Sequence, residues 1–314
     1  MRPAFSVVFL TTLTGASQGL FLALLLVQLL AGYGTLAMPA PAFFAIGAAL
    51  GVLFAVLGLI ASFFHLGHPE RAWRAVAMWR TSWLSRECIC LPAFTAAVFF
   101  YGVAHWFGAA SSVTLAIGAV GVVLCFALFV STGMIYTCLK FLQEWATPLT
   151  TTNFIVLGCA SGFTLATACA TWIAPDLVQF FAVAAIVLTV LGCFTRGASL
   201  LRNARLQPKS TLQSATGIKA RPLVQKSRGF TSGSFNMREF SHGQTEATMQ
   251  SIKLAFIVLV FPIPLALLIG GIMLGASVLF DLAFVVQYLG LVAERWFFFA
   301  QANHPQKLYM GSAS

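Results

Sequence analysis

The chain has 314 residues, 59% of them hydrophobic and only 8% charged, with 30 phenylalanines and a mean hydropathy of +0.90. This excludes the soluble globular class and makes the chain an integral membrane protein. Its net charge of +10 comes with no aromatic-basic nucleic-acid motif, so the charge is read as membrane topology and attraction to lipid headgroups.

A bilayer core takes about 20 apolar residues as a helix, since each residue advances ~1.5 Å across ~30 Å of hydrocarbon. Eight runs qualify: Phe5 to Ala31, Pro41 to Leu66, Glu87 to Phe107, Val113 to Cys138, Leu149 to Trp172, Leu177 to Leu200, Ile252 to Leu274 and Ser277 to Ala300. The fold class is therefore an all-α bundle of eight transmembrane helices. With eight spans, all 18 Lys and Arg residues fall on one side, and the opposite loops carry Asp176 alone. By the positive-inside rule that side is cytoplasmic and holds both termini. The domain reading is helices one to six over residues 1–201, a basic cytoplasmic loop over 202–250, and helices seven and eight with the tail over 251–314.

The opening MRPAFSVVFL resembles a signal peptide, but its apolar run is long and no small-residue cleavage site follows promptly, so it is read as a retained anchor. Gln18 and Gln28 lie ten apart on one face of the first run, where interhelical hydrogen bonds satisfy polar groups in lipid.

Polar chemistry is concentrated between runs two and three, in SFFHLGHPERAWRAVAMWRTSWLSRE, Ser62 to Glu87. His65 lies near the end of one apolar run and Glu87 at the start of the next. Both are placed just inside one membrane face, where ionisable groups are costly and mark function. Pro69 suits the first position of a short interfacial helix carrying Arg71 and Arg74, with Trp73, Trp79 and Trp83 at the headgroup level. Ser85 is positioned to cap the third run, which puts Glu87 in its first turn, where the helix dipole alone favours a carboxylate. A hydrogen-bonded interfacial histidine and ordinary topology arginines would account for the rest one by one. The conjunction of imidazole, carboxylate and guanidinium at the edge of adjacent helices is what points to a small-molecule pocket.

His105 and Trp106 close the third run at the opposite face. A bis-histidine haem is disfavoured, because His65 and His105 lie at opposite faces and His242 and His304 lie outside the spans; a single-histidine haem stays open. Tyr136, Lys140 and Glu144, near the cytoplasmic face, either line the same pocket or anchor the helix ends. The seven cysteines all lie in or at the edge of apolar runs without a CxxC, so they are read as buried small apolar residues rather than disulfides or metal ligands. Residues 202–250 have the composition of a flexible basic loop. Pro262 and Pro264 are expected to kink the seventh run, and Glu294 and Arg295 close the eighth.

The segments FHLGHPERA and WRTSWLSRE, the TGMIY at Thr132 to Tyr136, and the closing ERWFFFAQANHPQ together resemble the membrane anchors of the dimethyl sulfoxide reductase family. The resemblance covers most of the chain except the basic loop; His68 and Glu70 depart from the commoner motif. It implies a bacterial inner-membrane anchor that holds an iron-sulfur subunit and a molybdopterin catalytic subunit and exchanges electrons with a quinone, ubiquinone or menaquinone. It implies a quinone site at His65, Glu87 and Arg71, with no haem or metal in this chain. Arg74, Arg80, Trp79, Trp83 and Tyr136 are the further candidates for the pocket or for partner docking. Because the charge rule places the partner subunits in the cytoplasm, the resemblance within the family is to the anchors of sulfite dehydrogenase complexes. In that reading His65 donates a hydrogen bond to a quinone carbonyl and Glu87 relays protons. The alternatives are a quinol-oxidising anchor of a dimethyl sulfoxide or polysulfide type reductase and, from another class, a transporter.

Overall fold

A computed structural model describes residues 1–219, 223, 240 and 243–306. Eight helical segments among them are long and apolar enough to cross a membrane. They are α1 (Phe5–Gly32), α2 (Pro41–Phe63), α3 (Trp83–Trp106), α4 (Ser111–Thr137), α5 (Pro148–Ile173) and α6 (Val178–Ala204), then α8 (Glu246–Val260) with α9 (Pro262–Leu274), and α10 (Ser277–Ala300). A short α7 (Leu212–Thr216) follows α6, and a 3-10 helix (Pro69–Val76) lies between α2 and α3. Much of the basic segment 202–250 lies outside the described residues.

Helices α1 and α5 form the centre. In their most apolar windows 72% and 78% of residues are buried, against 28–44% in the other spans. Glycine permits their contact: a Cβ on Gly19 would collide with the Gly158 carbonyl oxygen, and one on Gly162 would collide with the Gly19 backbone. Small residues let helix backbones approach closely in lipid, where packing replaces the hydrophobic drive between helices. Around this pair a core forms from Leu20, Phe21 and Leu24 of α1 and Phe94 and Tyr101 of α3, with Phe21 edge-on to both α3 rings at 5.7 and 5.5 Å.

The two glutamines of α1 act between helices. Gln18 donates to the Cys125 carbonyl at 2.8 Å, and Gln28 donates to Thr114 Oγ1 at 2.5 Å while accepting from Tyr101 at 2.8 Å. At one face Met1 donates its amino group to the carbonyls of Ala300 and Ala302, at 3.3 and 2.8 Å. The start of α1 therefore meets the end of α10, as an even number of spans requires.

Three sequence expectations change in detail. The seventh span begins at Glu246 rather than Ile252, because Thr245 caps it by accepting the Thr248 N–H at 3.2 Å and the polar residues 246–251 continue the helix beyond the apolar run. Pro262 and Pro264 break that span rather than bend it. Phe261, at φ −112° and ψ −77°, separates α8 from α9, and Pro262 opens α9, where its missing N–H costs nothing. Among the cysteines only Cys125 is fully enclosed, and Cys138 and Cys193 face the exterior; no disulfide joins any of the seven.

Candidate functional site

Helix α2 ends at Phe63, two residues short of His65, so the imidazole sits in the turn beyond the helix. Its backbone N–H reaches the Ser62 carbonyl at 3.5 Å, and its ring, among the described residues, has no hydrogen-bond partner. The neighbours Phe63, Phe64 and Leu66 are all exposed, giving an apolar rim around an accessible imidazole. Partial burial holds the His65 pKa below the usual histidine range. At neutral pH the ring is uncharged, with one N–H to donate and one lone pair.

The following segment is a 3-10 helix rather than an α-helix, with Pro69 at its start. His68 Nδ1 lies 3.0 Å from a Glu70 oxygen, and Arg71 Nε lies 3.7 Å from the same atom, all three side chains well exposed. Arg74, Arg80 and Arg86 lie over the rings of Trp73, Trp79 and Trp83 at 5.5, 5.4 and 4.1 Å. Arg86 also donates to the Trp79 and Arg80 carbonyls at 3.0 and 2.8 Å, tying this segment to α3. The outcome is an exposed basic and aromatic surface in the segment that follows His65 along the chain.

Glu87 is placed differently from expectation. Ser82, not Ser85, caps α3, its Oγ accepting the Ser85 N–H at 3.3 Å. Helix α3 thus starts at Trp83, and Glu87 falls in the second turn, past the reach of the end dipole. Its carboxylate is buried at 9% exposure and accepts from Thr132 of α4 at 2.5 Å. It lines a small internal cavity with Thr11, Thr14, Gly15 and Gln18 of α1, Phe129 and Thr132 of α4, and Phe154 of α5. That cavity measures about 10 Å³, the room of a single water molecule.

Tyr136 belongs to another neighbourhood. Its ring stacks on Phe154 at 5.6 Å and meets Trp145, Phe298 and Phe299 edge-on. It lies within electrostatic reach of both Glu87 and Arg295. On the far side of Phe154 is a cluster that hydropathy alone treats as end-of-span charges: Arg196 of α6 with Glu294 and Arg295 of α10, exposed by only 2%, 0% and 4%. Arg196 Nε lies 2.7 Å from one Glu294 oxygen, Arg295 lies 3.4 Å from the other, and the Arg295 guanidinium sits 3.8 Å from the Phe154 ring centre. Three ionisable groups at the ends of apolar runs were the available signal, since burial at that depth is as costly for them as for Glu87.

The expected site residues therefore fall into two groups. His65, Arg71, Arg74, Arg80 and Trp79 share the exposed segment, with Trp83 half-buried at the start of α3; Glu87 and Tyr136 lie inside the bundle. Among the described contacts none joins His65 to Glu87, and α2 contributes nothing to the cavity lining. A quinone suits the first group by its chemistry, because an unpartnered imidazole N–H on an apolar rim matches a ring carbonyl dissolved in lipid. The Glu87 cavity is too small for a quinone ring.

The DMSO reductase anchor subunit (DmsC) family model matches residues 1–299. A sulfite dehydrogenase subunit of Allochromatium vinosum is 52% identical over 325 aligned residues, covering 100% of both chains.

Proposed function

The chain belongs to the DMSO reductase anchor subunit (DmsC) family, and from that premise we propose that it is the membrane anchor of a sulfite dehydrogenase that delivers electrons to membrane quinone. The observation that carries the choice of sulfite is the 52% identity to a sulfite dehydrogenase subunit along the full length of both chains. The positive-inside distribution supports a cytoplasmic position for the loop face, where the iron-sulfur and molybdopterin subunits dock.

In this reading the exposed arginine and tryptophan segment from Arg71 to Arg86 receives the iron-sulfur subunit, bringing its terminal electron donor beside His65. Bound quinone supplies the two-electron, two-proton acceptor chemistry. His65 orients the ring by donating its N–H to a carbonyl, and Arg71 offers positive charge at the same rim. Phe63, Phe64 and Leu66 exclude water around the ring. Glu87 holds a proton behind this rim, in the low-dielectric interior, where Thr132 fixes one of its oxygens. The test is an assay of isolated membranes for sulfite-dependent quinone reduction, with and without the chain. The activity is expected to depend on the chain, and sulfite-dependent quinone reduction that persists in its absence would contradict the proposal.

A further inference from the structure

We infer that the seam on α1 between α2 and α10 holds the isoprenoid tail of the quinone whose ring His65 orients. The identity of the occupant rests on the proposed quinone site; the seam itself is set by helix packing.

Helix α1 is enclosed along most of its length, and in its first half the two exposed residues are Phe5 and Phe9, at 60% and 39%. They lie one turn apart on one face. That face looks out between two neighbours. On one side α1 packs against α2: Ser17 donates to the Gly51 carbonyl at 2.7 Å, and a Cβ on Gly58 would meet Thr14 Oγ1 and the Leu10 carbonyl. On the other it packs against α10, where the Thr12 and Tyr288 hydroxyls lie 3.3 Å apart and the Met1 amino group reaches the Ala300 carbonyl. Both pairings are antiparallel. Carried along α1, the first register brings Phe9 level with Ala61 and Phe5 level with His65, and the second brings the same two rings level with Val292 and Trp296.

The walls follow from the same phases. Phe54 of α2 faces α10, its ring 6.0 Å from Phe284 and 6.4 Å from Tyr288, and Ala61 lies two turns further along the same face of α2. Val292 follows Tyr288 by one turn on α10, and Ala61, Val292 and Trp296 are all half-buried. The rings of Phe54, Phe284 and Tyr288 mark where α2 and α10 meet and the seam closes. From Phe54 to the level of His65 the rise is about 16 Å, roughly half of the ~30 Å hydrocarbon core. The seam therefore runs from the imidazole to the middle of the bilayer, apolar on both sides and open to lipid.

This shape asks for an occupant with its polar part at the His65 end and an apolar chain behind it, which describes a quinone ring and its isoprenoid tail. A helix from a second copy is about 10–12 Å across and crosses the whole core, so the ring cluster would stop it halfway. A lipid acyl chain fits the walls as well as the tail does, and the experiment below separates the two.

The test uses the intact complex in phosphatidylcholine vesicles with sulfite as donor. KM is measured for a quinone with its full isoprenoid tail and for an analogue with the same ring and a methyl group in place of the tail. Ala61→Phe fills the seam from α2, and Ile60→Phe, on the exposed lipid side of the same turn, is the control. Ala61→Phe is expected to raise the ratio of the long-tailed KM to the tail-less KM about tenfold, within the range that one misfitting group costs in an apolar pocket. Ile60→Phe is expected to leave that ratio at the wild-type value. An unchanged ratio in Ala61→Phe overturns the tail assignment and leaves the seam to lipid, and an equal rise in Ile60→Phe overturns it too. Should Ala61→Phe fail to assemble, Phe9→Trp narrows the seam from α1 and is read the same way. His65→Ala keeps the two readings apart: reduction of both quinones that survives it removes His65 as the ring site, while the comparison at position 61 still decides the tail.

Discussion

Thr132 of α4 donates its hydroxyl proton to Glu87 of α3, and among the described residues it is the one side chain that hydrogen-bonds that buried carboxylate. A hydrogen bond to a charged group contributes about 1.5–3 kcal/mol, and leaving a buried carboxylate without it costs at least as much. Thr132→Val is therefore expected to destabilise the protein by roughly 2 kcal/mol. Glu87→Gln, which lowers the need for a donor, is expected to be milder. Thermal unfolding of the two purified variants compares them directly.

The buried ion cluster gives a larger effect. Removing the charge of Glu294 takes from Arg196 and Arg295 their one ion-pair partner among the described residues, and breaking a buried pair in this way costs about 3–5 kcal/mol. Glu294→Gln is expected to lower the yield of assembled protein sharply. The double variant Arg196→Met with Glu294→Gln should lose less than the sum of the single losses, with a coupling of roughly 0.5–3 kcal/mol. Unfolding measurements on the wild type, the two single variants and the double variant supply that coupling.

The contact of α1 with α5 predicts a backbone effect. Gly162→Ala would drive a methyl into the Gly19 backbone and force apart the two helices that frame the Glu87 cavity. Overpacking of this kind costs about 1–3 kcal/mol. Gly197→Ala is the control, since an added Cβ there meets nothing within 4 Å. It should leave stability unchanged or raise it by up to ~1 kcal/mol through helix propensity. Melting temperatures of the two variants, measured side by side in one detergent, check the contrast.

The lowered pKa of His65 fixes the sign of a pH effect. With the folded value below the ordinary one of about 6.5, the unfolded chain takes up the proton first. Any stability this group contributes is fully present above that ordinary value and is lost as pH falls through the interval down to the folded pKa. Activity should follow the same direction: quinone reduction insensitive to His65 titration between about pH 7 and 8, and declining on acidification below about 6.5 as the imidazole becomes charged. A His65→Asn variant, which keeps an N–H donor without titrating, should flatten the acid limb of the pH profile.

The spans and the interhelical use of Gln18 and Gln28 were legible from hydropathy and spacing, because each depends on one helix at a time, whereas Pro262 and Pro264 suggested a kink where the helix in fact breaks. The surroundings of Glu87 were not. Thr11, Thr14 and Thr132 look like any hydroxyls in apolar helices, and only the rotation of α1 and α4 about their axes turns them toward one carboxylate. The misplaced cap has a local cause: Ser82 and Ser85 both precede an apolar run, and the choice between them moves Glu87 by a turn. Arg196 looks like an end-of-helix topology charge because its partner Glu294 lies far along the chain on α10, a pairing fixed by packing.

The central claim is that quinone takes up the partner's electrons at His65, and the most direct measurement is sulfite-dependent quinone reduction by membranes carrying His65→Ala, alongside sulfite oxidation with a soluble artificial acceptor. Quinone reduction is predicted to be lost while oxidation with the artificial acceptor persists, showing an assembled complex with its membrane exit closed. Quinone reduction at the wild-type rate in that variant would contradict the account.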